Sequence, residues 1–155
     1  MRSKPQQSVQ ATGLKIAIVV SSYHDDVTSK LLEGAQSTFV ESGGAIEDCQ
    51  TITVSGAWEL PVVASAIAAK GEVDAIVALG CIVSGETTHD QVITDAIAEG
   101  LMSVSIDWKQ PVSMGVITCK TLHQAHDRAG GEAGNKGSEA MYAALSTVAV
   151  MRKVR

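Results

Sequence analysis

Lys15-Ile-Ala-Ile-Val-Val-Ser21, a short β-rich run that emerges from a polar leader, starts the rhythm that decides the fold. Three more such runs follow: Gln50-Thr-Ile-Thr-Val54, ending at Ser55-Gly56, then the apolar Val73-Asp-Ala-Ile-Val-Ala-Leu79, then Val112-Ser-Met-Gly-Val-Ile-Thr118. Longer helical patterns lie between them. Leu31, Leu32, Ala35 and Phe39 recur at helical spacing before Gly43-Gly44 supplies a stop, and further helical patterns cover 58–70, 88–103, 121–129 and 137–152. Alternation of this kind argues an α/β protein, a parallel sheet with helices on both faces. No repeat or linker divides the chain, so a polar leader over 1–13 and a single domain over 14–155 are expected.

Composition narrows the function classes. Hydrophobic residues make up 45% and charged residues 19%, which suits a globular protein and not a disordered one. The net charge of −5 gives no reason to expect a nucleic-acid or membrane-surface partner. Cys49, Cys81 and Cys119 lie far apart without CxxC or metal spacing, which reads as free thiols in a reducing compartment. Residues 1–13 carry no apolar core of the signal-peptide kind, and no apolar run approaches bilayer length. The expectation is a soluble, cytoplasmic protein.

Two helices lack a polar face. Leu60-Pro-Val-Val-Ala-Ser-Ala-Ile-Ala-Ala69 is apolar almost all the way round, and so is Ala140-Met-Tyr-Ala-Ala-Leu-Ser-Thr-Val-Ala-Val-Met151. A surface helix of a small monomer shows one polar face. The pattern therefore favours an oligomer, with the sheet on one side of each helix and another subunit on the other, over a tightly folded alanine-rich monomer.

Ligands of open α/β sheets bind beyond the carboxyl ends of the strands, so the residues after each run form the candidate site. They are Ser22-Tyr23-His24-Asp25, then Ser55-Gly56-Ala57-Trp58-Glu59, then Cys81-Ile82-Val83-Ser84-Gly85-Glu86-Thr87-Thr88-His89. The fourth run carries Met114 and leads toward Arg128 and Lys136. Tyr23 and Trp58 are two of only five aromatic residues, and flat rings at neighbouring strand ends suit a flat heterocycle, unless they simply cap the core. Gly85-Glu86-Thr87-Thr88 opens a helix, which fits a phosphate cradle and equally a capped helix start. His89 is a natural proton shuttle at neutral pH, with a structural histidine as the alternative. Arg128 and Lys136 could close a phosphate site as fork and point charge, or be solvated surface charge. His123 and His126 could share a helical face, but no third ligand is evident and no metal is expected. His24 lies beside Tyr23 and could line the pocket.

Taken together, Val54-Ser-Gly-Ala-Trp-Glu-Leu-Pro61, Leu79-Gly-Cys-Ile-Val-Ser-Gly-Glu-Thr-Thr-His89, Arg128-Ala-Gly and Gly134-Asn-Lys-Gly137 resemble the lumazine synthase family over roughly residues 14–152, with every motif in order. The resemblance implies a flavodoxin-like three-layer αβα sandwich with a four-stranded parallel sheet. It also implies pentamers with active sites between adjacent subunits, sometimes built into icosahedral shells, and association with a riboflavin synthase. The implied activity is a transferase-type condensation in riboflavin biosynthesis with no cofactor. 5-Amino-6-ribitylamino-uracil and 3,4-dihydroxy-2-butanone 4-phosphate would give 6,7-dimethyl-8-ribityllumazine, phosphate and water.

Carried over, Tyr23 and Trp58 flank the pyrimidine, Ala57, Glu59 and the backbone of Cys81, Ile82 and Val83 meet its ribityl arm, and Met114 reaches it from a neighbour. Glu86 and Thr87 hold the phosphate with Arg128 from across the interface, His89 transfers protons, and Lys136, Gly85 and His24 support the site. The chain departs from the family at Ser84, where arginine is usual, at Met114 and Asp90, where aromatics are common, at Tyr23-His24, often Phe-Asn, and at Ser55, often proline. The short segment between Arg128 and Lys136 leans toward a sixty-subunit shell. A signalling receiver domain, suggested by Asp25-Asp26, lacks its acceptor aspartate after Ala78-Leu-Gly-Cys81, and an inactive shell protein is the second alternative. No GxGxxG follows any strand, and Gly134-Asn-Lys-Gly-Ser138 lacks P-loop spacing.

Overall fold

Strand β1 (Ile16–Ser21) is buried at every position, and β3 (Ala75–Val83) is buried as far as Cys81. Strands covered on both faces belong in the middle of a parallel sheet. The flanking strands β2 (Cys49–Val54) and β4 (Val112–Cys119) mix buried and exposed positions, as sheet edges do. The computed structural model, which describes residues 8–155, orders them β2-β1-β3-β4, all parallel.

Side chains alternate along each strand and so divide the core in two. Ile16, Ile18 and Val20 of β1 and Val77 and Leu79 of β3 point to one face, where Leu31 and Phe39 of α1 (Asp25–Glu41) meet Met141 and Leu145 of α5 (Lys136–Val154). Val19, Ile76 and Ala78 point to the other, against Leu60 and Ala64 of α2 (Leu60–Lys70) and Ile97 and Leu101 of α3 (His89–Trp108). The result is the expected three-layer αβα sandwich around a four-stranded parallel sheet.

Four local features differ from or sharpen the sequence reading. Strand β3 continues four residues past Leu79 to Val83. Gly80 is a strand residue over which α2 passes, since a Cβ there would meet Leu60 Cδ1 at 3.3 Å and Ala57 Cβ at 3.4 Å. Helix α1 starts at Asp25, with His24 before it in the left-handed region at φ 59°. The pattern over 121–129 shortens to α4 (Leu122–Asp127), because Ala129–Gly131 (β5) turns back on Gly134–Asn135 (β6) as a small antiparallel pair. Of the polar leader, 1–7 lie outside the described residues, while Ala11 is buried and donates its N–H to Ser42 O at 2.9 Å.

Asn135 ties the last helix to the first. Its Oδ1 accepts from the N–H groups of Gly137 and Ser138 at 2.8 and 3.1 Å, capping α5, while its Nδ2 donates to Lys30 O in α1 at 3.0 Å. Gly137 lets the helices touch, because a Cβ there would fall on the Leu31 carbonyl. No helix among the described residues is long and apolar enough to cross a membrane.

Candidate functional site

The chain runs outward from β1 to β2 and then crosses back to β3, so the strand order reverses between β1 and β3. A crevice opens at the carboxyl ends of an α/β sheet at that point. A cavity of about 420 Å³ lies there. Tyr23 enters it from the end of β1, Gly56, Ala57 and Trp58 from the turn after β2, and Cys81, Ile82 and Val83 from β3. Gly85 and Thr87 come from the following loop, and His89, Asp90 and Ile93 from the first turns of α3. Tyr23 is 66% and Trp58 59% exposed, so neither ring caps the core; both present apolar surface to the cavity.

The overhang of β3 gives this cavity a polar wall. Pairing with β1 ends at Val20↔Leu79, whereas pairing with β4 continues to Val83↔Cys119. The edge of Gly80–Val83 that faces away from β4 therefore has no strand beside it, and its backbone groups are available to a hydroxyl-rich ligand. Cys81 is 3% exposed. Burial, helped by the neighbouring Cys119 and the charge of Asp26, pushes its thiol up to about 12, so it stays protonated and is no nucleophile at neutral pH. Beyond β3, none of the N–H groups from Gly85 to Thr88 meets a protein acceptor among the described residues, which leaves an exposed row of donors at the start of α3. His89 is exposed at its end, its N–H directed to Thr87 Oγ1 at 3.3 Å.

A second groove, of about 560 Å³, runs along the free edge of β4. It holds Met114, Arg128 and Lys136 together with Glu139 and Ser113. The β5–β6 pair sets the two cations side by side, since Lys136 N–H donates to Arg128 O at 2.8 Å. Arg128 Nη1 donates to Gln124 O at 3.0 Å, its other donors having no acceptor among the described residues, and Lys136 Nζ pairs with Glu139 Oε2 at 2.7 Å. The Ser113 hydroxyl is buried without a hydrogen-bond partner among the described residues. The two cavities share no lining residue, and the β3–β4 pair stands between them.

Comparison with known proteins supplies the context for this divided arrangement. Residues 13–152 match the family model described as 6,7-dimethyl-8-ribityllumazine synthase. The chain belongs to that family. Proteins of that name from Thermus thermophilus, Aquifex aeolicus and Pediococcus pentosaceus are similar to it over nearly their whole length. The Thermus protein is 39% identical over 93% of this chain and 92% of its own. The Aquifex protein is 38% identical over 94% of each, and the Pediococcus protein 40% over 91% and 90%.

Within this member of the lumazine synthase family, the residues singled out from sequence sort into three groups. Tyr23, Ala57, Trp58, Cys81, Ile82, Val83, Gly85, Thr87 and His89 converge on the first cavity. Met114, Arg128 and Lys136 converge on the second. Glu59, Glu86 and His24 line neither: Glu59 turns back toward Gly56, Glu86 is exposed in the loop, and the His24 ring stands edge-on to Tyr23 with centroids 4.6 Å apart. His123 and His126 face carboxylates, Asp127 at 3.5 Å and Asp26 at 3.0 Å, and no cluster of three or more metal-ligating side chains forms among the described residues. Sequence reasoning did not reach Ile93 or the part Asp90 plays. Helical spacing from His89 could have found Ile93, four residues on and on the same face. Asp90 is bonded to Ser84 Oγ, a pairing with no signature in the sequence.

Proposed function

We infer that the chain condenses 5-amino-6-ribitylamino-uracil with 3,4-dihydroxy-2-butanone 4-phosphate to 6,7-dimethyl-8-ribityllumazine, at sites each completed by a second copy of itself. Membership of the family supports the reaction. The observation that carries the shared site is the split of the candidate residues: the aromatic and histidine half lies at the β1/β3 crevice, the cationic half along the outer edge of β4. Within one chain Arg128 lines the groove and not the crevice, whereas the groove of a neighbour set against the crevice brings it to the loop that starts α3.

The substrate amine is the nucleophile. It attacks the ketone, a Schiff base forms with loss of water, phosphate leaves by elimination, and ring closure with loss of a second water completes the product. The protein supplies alignment, a proton shuttle and charge for the departing phosphate. Tyr23 and Trp58 flank the pyrimidine, the open edge of Gly80–Val83 takes the ribityl hydroxyls, and the N–H row from Gly85 to Thr88 with the neighbour's Arg128 binds phosphate. His89 moves the proton, with Lys136 and Met114 closing the site from the neighbour.

The same arrangement supports a ring. Val62 on α2 is 68% exposed, Ile106 on α3 66% and Val150 on α5 55%, apolar side chains that neighbouring copies in a ring would cover. A cyclic pentamer closes such head-to-tail contacts. The hairpin between Arg128 and Lys136 is short, which favours a sixty-subunit shell, and the setting is the cytoplasm, with a riboflavin synthase as the enzyme that takes the product. The test is to mix purified protein with both substrates, without added metal or nucleotide, and follow the lumazine absorbance. Absence of product, or activity lost to a chelator and restored by metal, overturns the reading. Light scattering coupled to size exclusion gives the assembly mass, and an active monomer defeats the shared site.

A further inference from the structure

The loop between β3 and α3 has little to hold it. Gly85 through His89 are all exposed, and Gly85 has open space where a Cβ would be. Thr88, which precedes α3, provides no side-chain cap. Among the described residues the loop's own bonds are the His89 N–H to Thr87 Oγ1 at 3.3 Å and those the Thr88 carbonyl accepts from Gln91 and Val92 N–H at 3.1 and 3.3 Å. The two ends of the loop, by contrast, are anchored. Ser84 N–H donates to Cys119 O at 2.9 Å, continuing the β3–β4 ladder, and the Asp90 carbonyl accepts from Thr94 Oγ1 at 2.8 Å inside α3. One bond joins these anchors across the loop: Ser84 Oγ donates to Asp90 Oδ2 at 2.9 Å, in a partly buried setting. Asp90 lines the crevice next to His89.

We propose that Ser84 and Asp90 are a positioning pair, a clasp that holds the loop from Gly85 to Thr88 and the imidazole of His89 in the geometry the reaction needs. The proposal rests on the reading of the crevice given under Proposed function. Its physical content is entropic. A five-residue exposed segment with a single long internal bond samples many conformations, and a bond between its flanking residues removes most of them before substrate arrives. The clasp acts on the loop that meets phosphate and on the proton shuttle, so its loss lowers kcat and raises KM for the ketose phosphate. Binding of the pyrimidine, held by Tyr23, Trp58 and the β3 edge, is left as it was.

A simpler role for Asp90 is to place negative charge at the start of α3, where the helix dipole favours it. The two roles separate in mutants. Asp90→Asn removes the charge and keeps an oxygen that accepts from Ser84, whereas Ser84→Ala keeps the charge and removes the bond. Steady-state kinetics on assembled protein should show kcat reduced about 5-fold in Ser84→Ala and in Asp90→Ala, the size expected for one net hydrogen bond. The double variant should be no worse than either single, and Ser84→Thr and Asp90→Asn should retain near-normal kcat. Hydrogen exchange over 85–92 should accelerate in the two alanine variants and not in Ser84→Thr or Asp90→Asn. His89→Ala, measured alongside, keeps the two levels apart. If it leaves kcat intact, the crevice reading itself falls. If it lowers kcat while Ser84→Ala does not, or if Asp90→Asn is as damaging as Asp90→Ala, or if the double variant multiplies the losses, the clasp is refuted. An alanine variant that fails to assemble is replaced in the comparison by Ser84→Cys, a weaker donor of similar size, for which intermediate kcat supports the clasp and unchanged kcat refutes it.

Discussion

Two separately inactivated chains should rescue one another. His89 lies in the crevice between β1 and β3, and Arg128 lies in the groove beyond β4. If each working site takes its histidine from one chain and its arginine from the next, His89→Ala and Arg128→Ala damage opposite sides of a junction. In a ring assembled at random from equal amounts of both variants, a junction draws an intact His89 half the time and an intact Arg128 half the time. About one quarter of the junctions are then wild type on both sides, because a head-to-tail ring joins unlike surfaces at every contact. Each variant alone carries a lesion at every site; removing a general acid–base group costs about 10²–10⁴-fold, or as little as about 10-fold where the uncatalysed condensation is appreciable. The experiment unfolds the two variants together in denaturant, reassembles them by dilution, and reads lumazine formation by absorbance. Activity near one quarter of wild type is expected, well above the mean of the variants reassembled separately. If the mixture matches that mean, the residues act within one chain and the shared site is wrong.

Arg128→Ala should raise KM for the ketose phosphate far more than for the pyrimidine, a charged hydrogen bond to phosphate being worth about 1.5–3 kcal/mol; equal losses for both substrates would point to a folding defect. Gly137→Ala places a Cβ on the main chain of Leu31, which has no flexible end to move aside, so α5 must lift from α1. Overpacking of this kind costs about 1–3 kcal/mol, and a wild-type denaturation midpoint would contradict the close approach. Burial holds the Cys49 thiol at about 11 and Cys81 at about 12, against 9.0 for a free thiol. The unfolded chain ionises first, so stability present below pH 9 is lost as pH rises toward 11 and 12. By pH 10 the loss should be about 1 kcal/mol per thiol, read from urea midpoints. Cys49→Ala should flatten that slope, and a midpoint independent of pH would refute the burial argument.

The layered fold was legible because the strands announce themselves. Val73 to Leu79 and Lys15 to Ser21 are short, aliphatic and separated by helical spacing, which leaves little choice beyond a parallel sheet covered on both faces. The misjudged boundary at Leu79 has a specific cause. The third run as read ends before Gly80, whose lack of a side chain serves contact with α2, a tertiary fact that no local pattern carries. The same holds for β5 and β6, a short pair whose Asn135 is bonded to Lys30 of α1, a contact that no local pattern carries.

For the site, strand ends led directly to Tyr23, Trp58 and His89, since their position follows from topology. That the chain splits its candidate residues between two cavities was implied by resemblance alone. Nothing in the spacing of Met114, Arg128 and Lys136 says on which side of β4 they fall. The Ser84–Asp90 bond was invisible for the same reason, as it depends on the path of an irregular loop.

The pairing of α1 with α5 has a consequence for how the chain is made. Leu31, Ala35 and Phe39 are fully covered in the finished fold, in the cluster that Met141 and Leu145 of α5 complete. On the ribosome α1 emerges long before α5 exists. At about 5–20 residues per second, the intervening stretch takes some seconds to synthesise, and through that interval the face of α1 and half the sheet lie open. Asn135 and Gly137, which seat α5 on Lys30 and Leu31, arrive only at the end. A nascent chain interrupted before Lys136 carries every residue of the crevice yet has no way to close its core, which makes it a client for chaperones and proteases in place of an enzyme.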